Sequence, residues 1–310
     1  MKKKYIRLII LLIILFVFYI IFRNIYKTFL FLKYYEILNT LKLIPLYKIL
    51  IISSISILYY ILLSIYDIVA FRYIKPKILL RLRNIILTCF ISNIFGNNVG
   101  FSILLNGAIK YRMYSIYNIS MSDTTKILFF SYLTMWLGLI TIMSFIFMIY
   151  PFSFKKIISY NLSSIWFSIL FIVVVILYFF LCIVYTKPIK VFKKYDMKLP
   201  NIKIAVLQIL VSVFDWLIAS LALYIALPIK SYSIFLRAFL LSHLIGIMSQ
   251  VPGGIGIFET TMSILLSINI RLNNNFMAGL IIYRLLFYLL PLLLAIILFI
   301  ISEIFLRKKI

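Results

Sequence analysis

Val251-Pro252-Gly253-Gly254-Ile255-Gly256-Ile257-Phe258-Glu259 interrupts an otherwise mostly apolar stretch that runs from Ser233 to Ile268. Proline removes a backbone donor and glycine turns sharply, so a helix breaks here. In hydrocarbon no water satisfies the groups a break sets free. Such a break is tolerated only when it is buried in protein or lines a wet cavity. The run therefore marks a polar site inside a membrane protein, of the kind that interrupted helices form near the bilayer midplane.

The rest of the chain agrees. Of its 310 residues, 65% are hydrophobic and only 13% charged, a composition that excludes a soluble domain. No hydrophilic linker divides it, so residues 1–310 read as a single integral membrane domain, all-α in class. The net charge of +25 comes from 32 Lys and Arg against 7 Asp and Glu. These basic residues cluster at the ends of apolar runs, which fits orientation and anionic-lipid contact rather than nucleic acid. Cys89 and Cys182 lie apart in apolar surroundings and read as small hydrophobes, not a disulfide or a metal site.

Six segments predict full spans: 6–22, 49–71, 127–150, 163–186, 204–227 and 278–302. Segment 23–48 mixes apolar and basic residues and reads as a helix lying in the interface. Two further apolar segments are broken, 84–109 at Gly96-Asn97-Asn98-Val99-Gly100 and 234–268 at Pro252-Gly253-Gly254. If both cross, the chain has eight spans and its Lys and Arg divide evenly. If both are re-entrant, about two thirds of them fall on the side of 72–83 and 187–203, as the positive-inside rule favours. That topology puts both termini in the cytoplasm. It also sends the hairpins in from opposite faces, with arms of about 10–15 residues, half a bilayer at 1.5 Å per residue.

Several residues carry candidate chemistry. A half-helix starting near Gly256 would offer orphan N–H groups and a positive dipole to phosphate. Glu259, in its first turn, either caps it or faces a cationic head group. Asn97 and Asn98 place amides at the first hairpin's tip. Arg112, beside Tyr111, either holds phosphate oxygens or snorkels to lipid. Asp67, Asp215, His243, Glu259 and Arg284 are ionisable at membrane depth, where charges face a partner or a cavity. An Asp215–Arg284 or a Glu259–Arg284 pair is expected. His243 has no ligand partners at metal spacing, and no nucleophile–base set, phosphate loop or dinucleotide fingerprint occurs.

Three ordered stretches resemble the membrane region of bacterial lysylphosphatidylglycerol synthetases, the multiple peptide resistance factor type, and its stand-alone relatives. Asn97-Asn98-Val99-Gly100-Phe101 with Gly107 to Tyr111-Arg112-Met113-Tyr114-Ser115 is similar to one block. Asp215-Trp216 with Ala219 and Ala222-Leu223-Tyr224 is similar to a second. Ser249-Gln250-Val251-Pro252 through Glu259, then Tyr283-Arg284 to Pro291, is similar to the third. Lys110, where the family usually has Arg, and Asn106, where it has a small residue or Thr, depart from the pattern. The resemblance implies a lipid-translocating membrane region without the aminoacyltransferase domain, in the bacterial cytoplasmic membrane and without a cofactor. Its head-group cavity would use Asn97, Asn98, Arg112, Asp215, Gly253, Gly254, Gly256, Glu259 and Arg284, flanked by Tyr111, Trp216, His243, Gln250, Pro252 and Tyr283. The implied partners are membrane phospholipids, anionic or lysylated phosphatidylglycerol among them. Two alternatives stay open: the membrane subunit of a lysyltransferase working with a separate aminoacyltransferase, and a scaffold in envelope biogenesis.

Overall fold

The computed structural model describes residues 39, 41–42, 44–78, 80–99, 102–154, 163–185, 187–191, 195–249, 251–268 and 273–307. The expected span 6–22 and most of the interfacial segment 23–48 lie outside them.

Helices α1 (Leu46–Leu62) and α2 (Ser64–Ile74) join at Leu63 into one 29-residue segment. A helical hairpin follows, α3 (Leu82–Val99) and α4 (Ser102–Ser115). Then come α5 (Met121–Ile149) and α6 (Ser164–Val184), a two-strand hairpin of β1 (Ile189–Val191) and β2 (Tyr195–Met197), and α7 (Ile202–Ala226). A second hairpin follows, α8 (Tyr232–Met248), a 3-10 turn at Pro252–Gly254, and α9 (Ile257–Leu266). The chain closes with α10 (Asn274–Tyr283), a π turn (Arg284–Leu289) and α11 (Leu290–Arg307).

The protein is an all-α polytopic membrane protein. Among the described residues five helical segments are long and apolar enough to cross: 46–74, 121–149, 164–184, 202–226 and 274–304. They coincide with the five expected spans after the first. Their starts are set by local chemistry. Ser120, Ser163, Asn201 and Asn273 each cap a helix by accepting a bond from a backbone N–H two or three residues on. Pro291 lacks the N–H that a regular helix needs. In the turn before it, Leu290 N–H reaches back five residues to Leu285 O, and Phe287 O accepts from Ser56 Oγ of α1 at 3.4 Å. A neighbouring helix thus serves a carbonyl in the broken turn.

Both broken segments fold back on themselves. In the first, Asn106 bonds Asn93 at 2.6 Å, and Cys89 meets Tyr114 at 3.6 Å near the open end. In the second, Gly246 faces Gly254 and the His243 ring lies 4.6 Å from Phe258. Antiparallel arms of this kind enter and leave by one end of the bundle. Contacts fix which end. Arg112 pairs with Glu303 and Tyr73 donates to the Lys198 carbonyl, so the first hairpin opens where α2 and α11 end and α7 begins. Arg237 Nη1 donates to Tyr150 O at 3.1 Å, so the second opens at the other end, beside the end of α5. The arms hold 18, 14, 17 and 10 residues, so α4 and α9 fall within the expected length and α3 and α8 exceed it.

Where a helix meets lipid its face stays apolar and open. On α6 only Ser164, Ser168 and Tyr178 are buried, while Trp166, Ile176 and Ile183 are about two-thirds exposed. Where helices meet each other, small residues let backbones approach. A Cβ on Gly138 of α5 would sit 2.0 Å from Ser212 Oγ of α7, and one on Gly279 of α10 would sit 2.5 Å from Ala226 O.

Candidate functional site

The two hairpin tips meet inside the bundle. A Cβ on Gly253 would lie 3.7 Å from Asn98 O and 3.6 Å from Arg284 Nη1. Beside this junction opens a cavity of about 150 Å3. The first hairpin lines it with Asn93, Gly96, Asn97, Ser102, Asn106 and Lys110. The second contributes His243, Gly246, Val251, Gly253, Gly254 and Phe258. Tyr59, Tyr66, Tyr132, Asp215, Trp216 and Tyr288 close the remaining walls. A cavity of about 150 Å3 takes a benzene-sized guest. That suits a phosphate or a small polar head group and leaves no room for acyl chains.

The Pro-Gly-Gly wall is held from behind. Arg284 Nε and Nη2 bond Glu259 Oε1 at 2.8 and 2.7 Å, and Nη1 bonds Gly253 O at 2.6 Å. Its guanidinium carbon lies 4.7 Å from the Tyr288 ring centre and 5.4 Å from that of Phe258. Glu259 Oε2 accepts the Gly256 N–H at 2.8 Å, which satisfies the backbone donor at the residue that leads into α9. Of the two expected pairings the structure forms Glu259–Arg284. The positive end of α9 is therefore filled by the protein's own carboxylate, and neither member of the pair is among the residues lining the cavity. Gly253, Gly254 and Gly256 take φ of 59°, 62° and 87°, which glycine adopts without strain. Pro252 opens the 3-10 turn.

Asp215 stands apart from Arg284. Its Oδ2 accepts from Tyr66 OH at 2.9 Å, and its Oδ1, buried, has no hydrogen-bond partner. Next to it Trp216 Nε1 donates to Met135 O at 3.2 Å, and its ring meets His243 edge-on at 5.6 Å. His243 also packs on Phe239 at 4.3 Å, so the single histidine sits in an aromatic cluster at the cavity wall. Asn97 is exposed and faces the cavity, whereas Asn98 turns back to Ile94 O at 2.8 Å. Tyr283 is fully buried and stacks on Phe287 at 4.9 Å. Arg112 is not brought to the cavity. It forms a two-bond pair with Glu303 at the bundle's end, its side chain half exposed, with Tyr111 exposed next to it. Gln250 lies outside the described residues.

A second buried pair joins the site. Lys110 Nζ bonds Asp67 Oδ1 at 2.6 Å, Ser131 Oγ bonds the same oxygen at 2.7 Å, and Tyr114 OH bonds Oδ2 at 2.7 Å. Lys110 forms part of the cavity wall, yet sequence reading passed over it for Arg112. The signal was there in the helical period. Asn106, Lys110 and Tyr114 recur every four residues on one face of α4, and Tyr111 and Arg112 fall elsewhere.

Comparison with known proteins gives relatives but no family model, since none matches the chain. It is 28% identical over 243 residues to an uncharacterized protein of Synechocystis sp., covering 77% of this chain and 74% of that protein. It is 29% identical over 249 residues to the inner membrane protein YbhN of Escherichia coli, covering 79% and 76%. It is 27% identical over 246 residues to the phosphatidylglycerol lysyltransferase of Staphylococcus xylosus, covering 77% of this chain but only 27% of that protein.

Proposed function

We propose that this chain is a flippase-like protein of the bacterial inner membrane that moves a polar-headed phospholipid, aminoacylated phosphatidylglycerol among its candidates, between leaflets. One observation carries the reading: two hairpins from opposite ends of a membrane bundle meet around a partly polar cavity that has room for a phosphate or a small polar group of a lipid head. A head group in hydrocarbon needs such shelter, while the acyl chains remain in the bilayer beside the apolar helix faces. Among the candidate residues, Asn97, Asp215, Gly253 and Gly254 border the cavity directly. Glu259 and Arg284 hold its wall in shape, and Gly256 makes the turn into α9. The inner-membrane placement draws on the relative YbhN, and the phosphatidylglycerol candidate draws on the lysyltransferase relatives.

The test is reconstitution into vesicles with head-group-labelled phospholipids. Ala219, buried at the cavity wall, is the residue to enlarge. Wild type is expected to speed transbilayer movement, and Ala219→Phe to abolish the acceleration while the protein keeps its melting temperature within a few degrees. Equal movement with and without protein, across zwitterionic, anionic and lysylated head groups, overturns the reading.

A second reading has its own support, since the matched stretch is only about a quarter of the staphylococcal lysyltransferase. Here the chain would be the membrane subunit for a separate aminoacyltransferase. Co-purification of such an enzyme, with lipid movement absent, would favour it.

A further inference from the structure

Among the described residues, three carboxylates lie buried in the body of the bundle near the cavity, and two of them have a cation. Asp67 has Lys110, and Glu259 has Arg284. Asp215, 8% exposed and midway along α7, has none among the described residues. One of its oxygens takes a phenol hydrogen bond and the other is unpartnered, on a side chain that borders the cavity. The ionisable groups turned toward it from adjoining elements are phenols: Tyr59 and Tyr60 of α1 and Tyr66 of α2. Farther along the cavity wall stand Tyr132 of α5 and Tyr288 of the π turn. From α8 comes His243, which meets the Trp216 ring. The nearby cations, Lys110 and Arg284, are committed elsewhere. On α6, Tyr178 faces Gln208, a different part of α7.

An isolated carboxylate is costly at such depth, and none of the described residues supplies a cation to neutralise it. A mobile proton or cation meets that need. We propose that Asp215 is a proton-exchange site: with the cavity empty it carries a proton, and it releases that proton when a cationic head group enters. The exchange balances as carboxylic acid plus ammonium giving a carboxylate–ammonium pair, with the proton leaving to the aqueous side. No covalent bond to the lipid changes. Asp215 and its occupant are neutral together in both forms, as a carboxylic acid when empty and as a carboxylate–ammonium pair when loaded, so neither form carries an unpaired carboxylate charge. Lipid movement one way is thereby tied to proton movement the other way. This rests on the proposed lipid-translocating role.

Infrared difference spectroscopy of the purified protein in bilayers tests the site without transport. Near neutral pH, wild type is expected to show a carboxylic-acid C=O stretch that Asp215→Asn removes and Glu303→Gln, at the bundle's end, leaves. Tyr66→Phe, which keeps the carboxyl but deletes its hydrogen bond, is expected to raise the frequency of that stretch. This arm stands if Asp215→Asn fails to fold. Adding short-chain lysylphosphatidylglycerol is expected to abolish the band and release one proton per protein, while short-chain phosphatidylglycerol does neither. No band assignable to Asp215, or a band unmoved by the lysylated lipid, overturns the proposal even if vesicles show lipid movement. Conversely, a band that responds in a protein that moves no lipid leaves proton exchange at the site intact and removes the transport reading.

Discussion

At the scale of single residues, the Glu259–Arg284 pair shows why finding partners is not the same as making them interchangeable. Arg284 bonds both the Glu259 carboxylate and the Gly253 carbonyl, and Glu259 also accepts the N–H of Gly256, the residue before α9. Glu259→Gln leaves Arg284 without its counter-charge at 13% side-chain exposure. Removing one partner of a buried pair costs about 3–5 kcal/mol. A loss of that size is expected in chemical or thermal unfolding. The exchanged double variant, Glu259→Arg with Arg284→Glu, is expected to restore little of it. It places a cation at the positive end of α9 and a carboxylate against the Gly253 carbonyl. Full recovery by the exchange would show that charge pairing alone holds the loop. Single-residue reading singled out both members of this pair, because an ionisable side chain in an apolar run must have a reason to be there. It could not choose Glu259 over Asp215 as the partner, since that depends on how α7, α9 and α10 are arranged.

Elements set different limits on the glycines. A Cβ at Gly256 would touch nothing within 4 Å, yet its φ of 87° is denied to ordinary residues. Gly256→Ala is therefore expected to cost about 1–3 kcal/mol through the backbone alone. At Gly138 the limit is space. The Gly138→Ala methyl would meet Ser212 Oγ at 2.0 Å, its Cβ at 2.3 Å and its backbone carbonyl carbon at 2.7 Å. The expected cost is about 1–3 kcal/mol of overpacking, and Ser212→Ala should recover only part of it, since the backbone atom stays. Melting of the four proteins checks both expectations. The first glycine was legible as one of a Pro-Gly-Gly-x-Gly run in an apolar stretch. The second carried no local mark, because its role is to let α5 and α7 touch.

For the whole molecule, the hairpins decide how many times the chain crosses. With both folded back, Lys75 and Asn118 flank the first hairpin on one face of the membrane, and Lys230 and Asn273 flank the second on the opposite face. In a cysteine-free background, a membrane-impermeant maleimide is expected to modify Lys75→Cys and Asn118→Cys from the same side. Lys230→Cys and Asn273→Cys are expected to react together from the other side. Opposite reactivity of Lys75→Cys and Asn118→Cys would mean that α3 and α4 continue across. Charge counting already favoured folding back, since the basic loops then gather on one side. The bonds between Asn93 and Asn106, and the close approach of Gly246 to Gly254, give that preference a packed form.

Sequence by itself determined the class of the protein, the five spans after the first, the two breaks and the intramembrane ionisable residues. All of these follow from local facts: twenty apolar residues can cross a bilayer, a proline with glycines cannot continue a helix, and a charge in hydrocarbon demands a partner. Only the tertiary structure decided which partner each charge took. It moved Arg112 out to Glu303, brought Lys110 in to Asp67, filled the end of α9 with Glu259 and left Asp215 with a phenol but no cation among the described residues. The reason is physical. Pairing energies depend on distances between helices far apart in the chain, and a one-residue rotation of α4 exchanges Lys110 for Tyr111 at the cavity wall while leaving composition and hydropathy unchanged.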